Sequence, residues 1–109
     1  MPKYLYRSNY TTEGVQGLLQ EGATSRRDAA RQAAESVGGT LEAYYYAFGE
    51  TDVFIIVDLP DDVSAAALKL AVAATGTITG DTVVLLTAEQ IDEATKKQTA
   101  FRAPGASSR

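Results

Sequence analysis

The sequence predicts an α+β domain: a four-stranded antiparallel sheet, two long helical regions on one of its faces, and a short closing helix. Three observations predict it. Strand-like and helix-like patterns follow one another in the order strand, helix, strand, strand, helix, strand, helix. The two middle strands are separated only by Gly49-Glu50-Thr51, which makes them a hairpin. The chain has 109 residues, enough to enclose one hydrophobic core and not two.

The first strand covers residues 3–10, with Tyr4, Tyr6 and Ser8 on one side and Leu5, Arg7 and Asn9 on the other. Thr11 or Thr12 caps a helix whose apolar stripe is Val15, Leu18, Leu19 and Gly22. Gly22 weakens that helix. Thr24-Ser25 then reads as a fresh cap, because Asp28 stands three residues after Ser25 in the manner of a capping box. Ala30, Ala33, Ala34 and Val37 form the inner face of this second segment, Arg27, Arg31 and Glu35 the outer, and Gly38-Gly39 ends it. Strands over 40–48 and 52–59 follow. Asp61 caps the next helix, which is rich in alanine and leucine over 65–74 and stops at Gly76. A last strand spans 77–86, and Thr87 with Gln90 makes a capping box for a short helix over 88–96. Two split βαβ units in this order give the ferredoxin-like βαββαβ arrangement.

An antiparallel sheet with helices on one face normally shows water a polar second face. Here Val53, Ile55 and Val57 point one way while Phe54 and Ile56 point the other, and the last strand carries Val83-Val84-Leu85-Leu86. Both faces are apolar, and two helical regions cover only one. An exposed apolar sheet face is an aggregation hazard, so the pattern predicts a homo-oligomer, a dimer or larger, joined sheet to sheet. The other arrangement is the closing helix folded across that face.

Composition narrows the function. There is no apolar run of the ~20 residues that a membrane span needs. The first residues do not follow the plan of a secretory signal, and cysteine is absent, so a cytoplasmic location is expected. Residues 1–94 hold 14 acidic and 6 basic side chains, a balance of −8 that repels a phosphate backbone and argues against nucleic acid as a partner. The folded domain is expected over 1–95, with a flexible basic tail over 96–109 carrying Lys96, Lys97, Arg102 and Arg109.

From 48 to 60 the chain reads Phe-Gly-Glu-Thr-Asp-Val-Phe-Ile-Ile-Val-Asp-Leu-Pro. Together with Pro2-Lys3-Tyr4-Leu5, Gly14-Val15, Ser25-Arg26-Arg27 and Leu85-Leu86-Thr87, this resembles the GYD domain family. Gly49 and Asp52 match the signature for which the family is named, and Thr51 stands where its tyrosine is expected. The resemblance implies membership of the dimeric α+β barrel group, whose members include monooxygenases, cyclases, isomerases and haem enzymes. It implies a fold and a mode of association, and no particular reaction.

The absence of histidine and cysteine removes Ser-His and Cys-His nucleophilic catalysis, thiolate chemistry and ordinary zinc, copper or non-haem iron sites. No cofactor and no metal is expected. A hard-cation site built from Asp52, Asp58, Asp61 and Asp62 competes with the helix-capping duty of the last two. Arginine, tyrosine and carboxylate remain. Arg26 lies four residues before Ala30 and seven before Ala33, which places its stem on the apolar side of the helix, where it would hold a carboxylate, phosphate or enolate. Its alternative is an internal pair with Asp52 or Asp58. Arg7 shares a strand face with Leu5, so an acid or a ligand must meet it, an acid across the oligomer interface being one such partner. Tyr44 and Tyr46 share one face of the second strand and suit either a core or an aromatic pocket. Asp58 is the candidate base if burial raises its pKa. The leading expectation is a self-associating domain that binds a small anionic or carbonyl-bearing molecule through Arg26, Tyr44, Tyr46, Arg7 and Asp52. A cofactor-independent cyclase or isomerase, and a scaffold subunit without a ligand, are the alternatives.

Overall fold

A computed structural model describes residues 1–105 and has eight elements. They are β1 (Lys3–Tyr10), α1 (Thr12–Glu21), α2 (Ala23–Ser36), β2 (Thr40–Tyr46), β3 (Val53–Asp58), α3 (Asp62–Ala74), β4 (Ile78–Leu85) and α4 (Ala88–Thr95). The strands form one antiparallel sheet in the order β2-β3-β1-β4, so the fold is ferredoxin-like and α+β. Residues 106–109, the end of the expected basic tail, lie outside the described part.

Local chemistry explains most boundaries. Thr11 accepts the Gly14 amide at the start of α1, and Asp61 accepts the Ser64 amide at 2.8 Å at the start of α3. Thr87 and Gln90 close a complete capping box on α4. One boundary differs from the sequence reading. The break between α1 and α2 falls on Gly22, at φ 89°, and α2 begins at Ala23 with no side-chain cap. A single glycine in the left-handed region turns the chain sharply enough that α2 restarts before Ser25 can cap it. The Ser25 hydroxyl instead donates to Glu21 at 2.8 Å, and Asp28 accepts from Arg31 at 2.8 Å.

Register fixes the two faces of the sheet. Tyr4 pairs with Val57 and Tyr6 with Ile55, so the helix-covered side carries Tyr4, Tyr6, Ser8, Val53, Ile55 and Val57. The core gathers there, with Tyr4, Ala34, Val57, Leu59 and Ala65 all buried. The Tyr4 hydroxyl is not stranded, because it donates to Asp62 at 2.6 Å. The opposite face holds Leu5, Ile56, Phe54 and Val83, with Tyr45 70% exposed at its edge. Among the described residues no helix covers this face. Every residue of α4 is exposed, so the closing helix does not fold across the sheet. No helix among the described residues is long and apolar enough to cross a membrane.

Candidate functional site

The layer between sheet and helices is not completely filled. A cavity of about 130 Å³ lies between the helix-facing side of the sheet and helices α2 and α3. Side-chain size explains it. α2 turns Ala29, Ala30 and Ala33 toward the sheet, and beneath them β1 offers Ser8 and β4 offers Gly80, where a packed layer would hold larger groups. At Gly80 the backbone itself demands glycine. Its φ is 148°, and a Cβ would fall 1.9 Å from the Arg7 carbonyl oxygen. Val53, Ile55, Leu68 and Val72 make the remaining walls apolar.

Polar groups sit at the margins of the cavity. Arg26, in the first turns of α2, lines it with about a third of its side chain exposed. Its ion-pair partner is Glu21 at 3.6 Å, a loose contact that leaves most of the guanidinium's donors available. Tyr44 lines the cavity from β2, and Tyr46 backs it edge to face, with ring centroids 5.4 Å apart. Their hydroxyls stand 3.4 Å apart, and that of Tyr46 donates to the Ala23 carbonyl. Burial, then hydrogen bonding with Tyr46 and Tyr10, pushes the Tyr44 phenol far above its usual range, so it stays protonated and can donate to an acceptor. Burial also raises Tyr46, and nearby Arg26 works against that rise. At the other margin Lys69 donates to the Gly80 carbonyl. The Tyr6 hydroxyl donates to the Ala65 carbonyl at 2.7 Å, so its ring, rather than its polar end, serves the cavity.

The structure thus brings Arg26, Tyr44 and Tyr46 together and leaves the other candidates elsewhere. Arg7 lies on the opposite face of the sheet, where the β1–β4 register sets Asp81 beside it. Two hydrogen bonds of 2.8 and 2.6 Å join the pair, so its partner comes from its own chain. This contact holds the Asp81 carboxyl below the usual carboxylate range. Asp52 accepts the Tyr10 amide at 3.0 Å and ties the β2–β3 turn to the end of β1. Asp58 accepts from Lys3 at 2.8 Å on the open face, with the sheet between it and the cavity. Neither Asp52 nor Asp58 pairs with Arg26. Among the described residues no group of three or more carboxylates is placed to hold a metal ion.

Among the cavity residues that escaped the sequence reading are Lys69 and Tyr10, and a signal existed for each. Ala65, Leu68, Lys69 and Val72 follow the i, i+3, i+4, i+7 spacing of a buried helix face, which includes a lysine. Tyr10 continues the alternation of Tyr4 and Tyr6 onto the same side of β1. The chemistry available here is the holding of a small molecule: an apolar body against alanine and valine, and an anion or carbonyl oxygen at Arg26 and Tyr44.

The fold and the cavity define a small α+β domain with an incompletely filled layer between its sheet and its helices. The GYD domain profile matches residues 4–95, and the chain belongs to the GYD domain family. Searches of curated proteins and of solved structures gave no match.

Proposed function

We propose that this GYD domain binds a small molecule with a compact apolar body and an anionic or carbonyl-bearing head, and that it does so as an assembly of copies joined through the open sheet face. The observation that carries the reading is that Arg26 and Tyr44 both line one mainly apolar cavity between sheet and helices. A guanidinium whose acidic neighbour among the described residues is one loose carboxylate is poised for an added carboxylate or phosphate. Self-association follows from the open face, where Leu5, Phe54, Ile56 and Val83 lie uncovered. The charges on that face are paired within the chain, Lys3 with Asp58 and Glu42 and Arg7 with Asp81, so a second copy can approach without stripping a lone charge of its water.

Native mass spectrometry of gently purified protein tests both parts. The reading predicts an oligomer carrying up to one small molecule per subunit, with the extra mass lost in Arg26→Ala while the oligomer persists. Bare oligomers with and without Arg26 favour a scaffold and overturn the ligand; a stable monomer overturns the assembly.

A further inference from the structure

Beside the cavity lies a second space that the proposed binding role leaves unused. A groove of about 270 Å³ runs between α1, the end of α3 and the start of β4. Tyr10, Arg26, Val72 and Ile78 line both spaces, which makes these residues the waist between them. The chemistry changes across that waist. On the inner side alanine, valine and isoleucine make most of the wall, with Asn9, Lys69 and Asp81 at its polar edge. On the outer side stand the carboxylates of Glu13 and Glu21. Glu21 takes the Ser25 hydroxyl and the loose contact from Arg26 on one oxygen, Oε1. Glu13, among the described residues, has neither a hydrogen bond nor an ion pair through its side chain. The groove therefore offers an unpaired carboxylate acceptor, whereas the cavity is mainly apolar and its one carboxylate, Asp81, is held by Arg7.

Gly17 gives an independent indication. It lies inside α1, where glycine costs a helix roughly 0.5–1 kcal/mol relative to alanine. Three residues earlier Gly14 has a reason to be glycine, because a Cβ there would fall 2.0 Å from the Thr77 carbonyl oxygen. At Gly17 a Cβ meets nothing within 4 Å, so the fold does not require the bare backbone. Gly17 lines the groove, and its missing side chain leaves room there for something else.

We propose that cavity and groove are two compartments of one site, and that the ligand is a small hydroxy acid. Its apolar or aromatic body fills the cavity, its carboxylate meets Arg26 at the waist, and a hydroxyl beside the carboxylate donates to Glu13, the groove carboxylate that has no partner among the described residues. This assignment rests on the binding role proposed above and adds the ligand class and the second compartment. The probes are 3-phenyllactate and 3-phenylpropionate, which share a ring and a carboxylate and differ by one hydroxyl. Calorimetric titration is expected to show the hydroxy acid binding about tenfold more tightly, as one hydrogen bond to a charged acceptor allows. Gly17→Met, a good helix former that narrows the groove, and Glu13→Gln, which withdraws the charge, are each expected to erase most of the preference, read as the ratio of the two affinities so that a general change in carboxylate binding does not mimic it. Circular dichroism of both variants confirms the fold. Equal binding of the two acids, or a preference untouched by both substitutions, overturns the two-compartment site while leaving the cavity standing. Binding of neither acid to the unaltered protein overturns the inference together with the cavity reading.

Discussion

The two faces of the sheet are built from the same strands and nearly the same kinds of residue, yet they end in different states. On β3, Val57 points to the helices and is 2% exposed, while its neighbour Ile56 points the other way and stays partly open to solvent. On β1, Tyr4 and Tyr6 find hydrogen-bond partners on α3, whereas Lys3 and Arg7 are satisfied by carboxylates of neighbouring strands. One face is closed by its own chain and hollowed by small residues; the other is apolar at its centre, with Lys3 and Arg7 paired to carboxylates of the same chain. Alternation decides which side a residue occupies, and the supply of helices decides whether that side is covered. The proposed ligand belongs to the covered face, and the proposed assembly to the open one.

Substitutions at the two neighbours on β3 separate these roles. Val57→Ala removes a buried side chain from the core and is expected to cost about 2 kcal/mol by chemical denaturation, with the oligomer unchanged. Ile56→Lys places a charge at the centre of the open face and is expected to convert the assembly to a folded subunit, read by light scattering, with the cavity intact. If Ile56→Lys unfolds the protein and Val57→Ala does not, the distinction between the faces fails.

Alkaline titration should find the covered face the weaker of the two. The hydrogen bond to Asp62, with burial second, pushes Tyr4 up to about 12, and burial raises Tyr44 and Tyr6 as well. A phenol that holds its proton more tightly when folded contributes stability below its unfolded pKa of ~10 and loses it as pH rises through the folded value. Stability is therefore expected to fall between about pH 10 and 12. Tyr4→Phe is expected to make that fall shallower, as measured by denaturation midpoints across the range. The smallest effect belongs to Arg7→Ala. Its pair with Asp81 is solvent-exposed, so the denaturation midpoint at neutral pH is expected to stay within error of the unaltered protein.

Much of this was legible in the residues. The alternation of Tyr4, Tyr6 and Ser8, the capping residues Thr11, Asp61 and Thr87, and the hairpin between β2 and β3 are local patterns, and the fold follows from them. Arg26 and Tyr44 were legible for the same reason, since each sits on a face set by helix or strand period. What the sequence left hidden depends on register and on packing between distant elements. Asp81 became the partner of Arg7 only once β4 lay beside β1. Glu21 reached Arg26 only because the chain turns at Gly22. The cavity exists because Ala29, Ala30 and Ala33 face Ser8 and Gly80 across a layer, and no single segment records that meeting.

The central claim is that the space beneath α2 holds an anionic small molecule through Arg26. Its most direct test is a titration with benzoate followed by NMR of alanine methyl groups. The account predicts shifts at Ala29, Ala30 and Ala33, none at Ala43 on the open face, and loss of all of them in Arg26→Ala. Shifts confined to the open face, or shifts at the three alanines that survive Arg26→Ala, would contradict it.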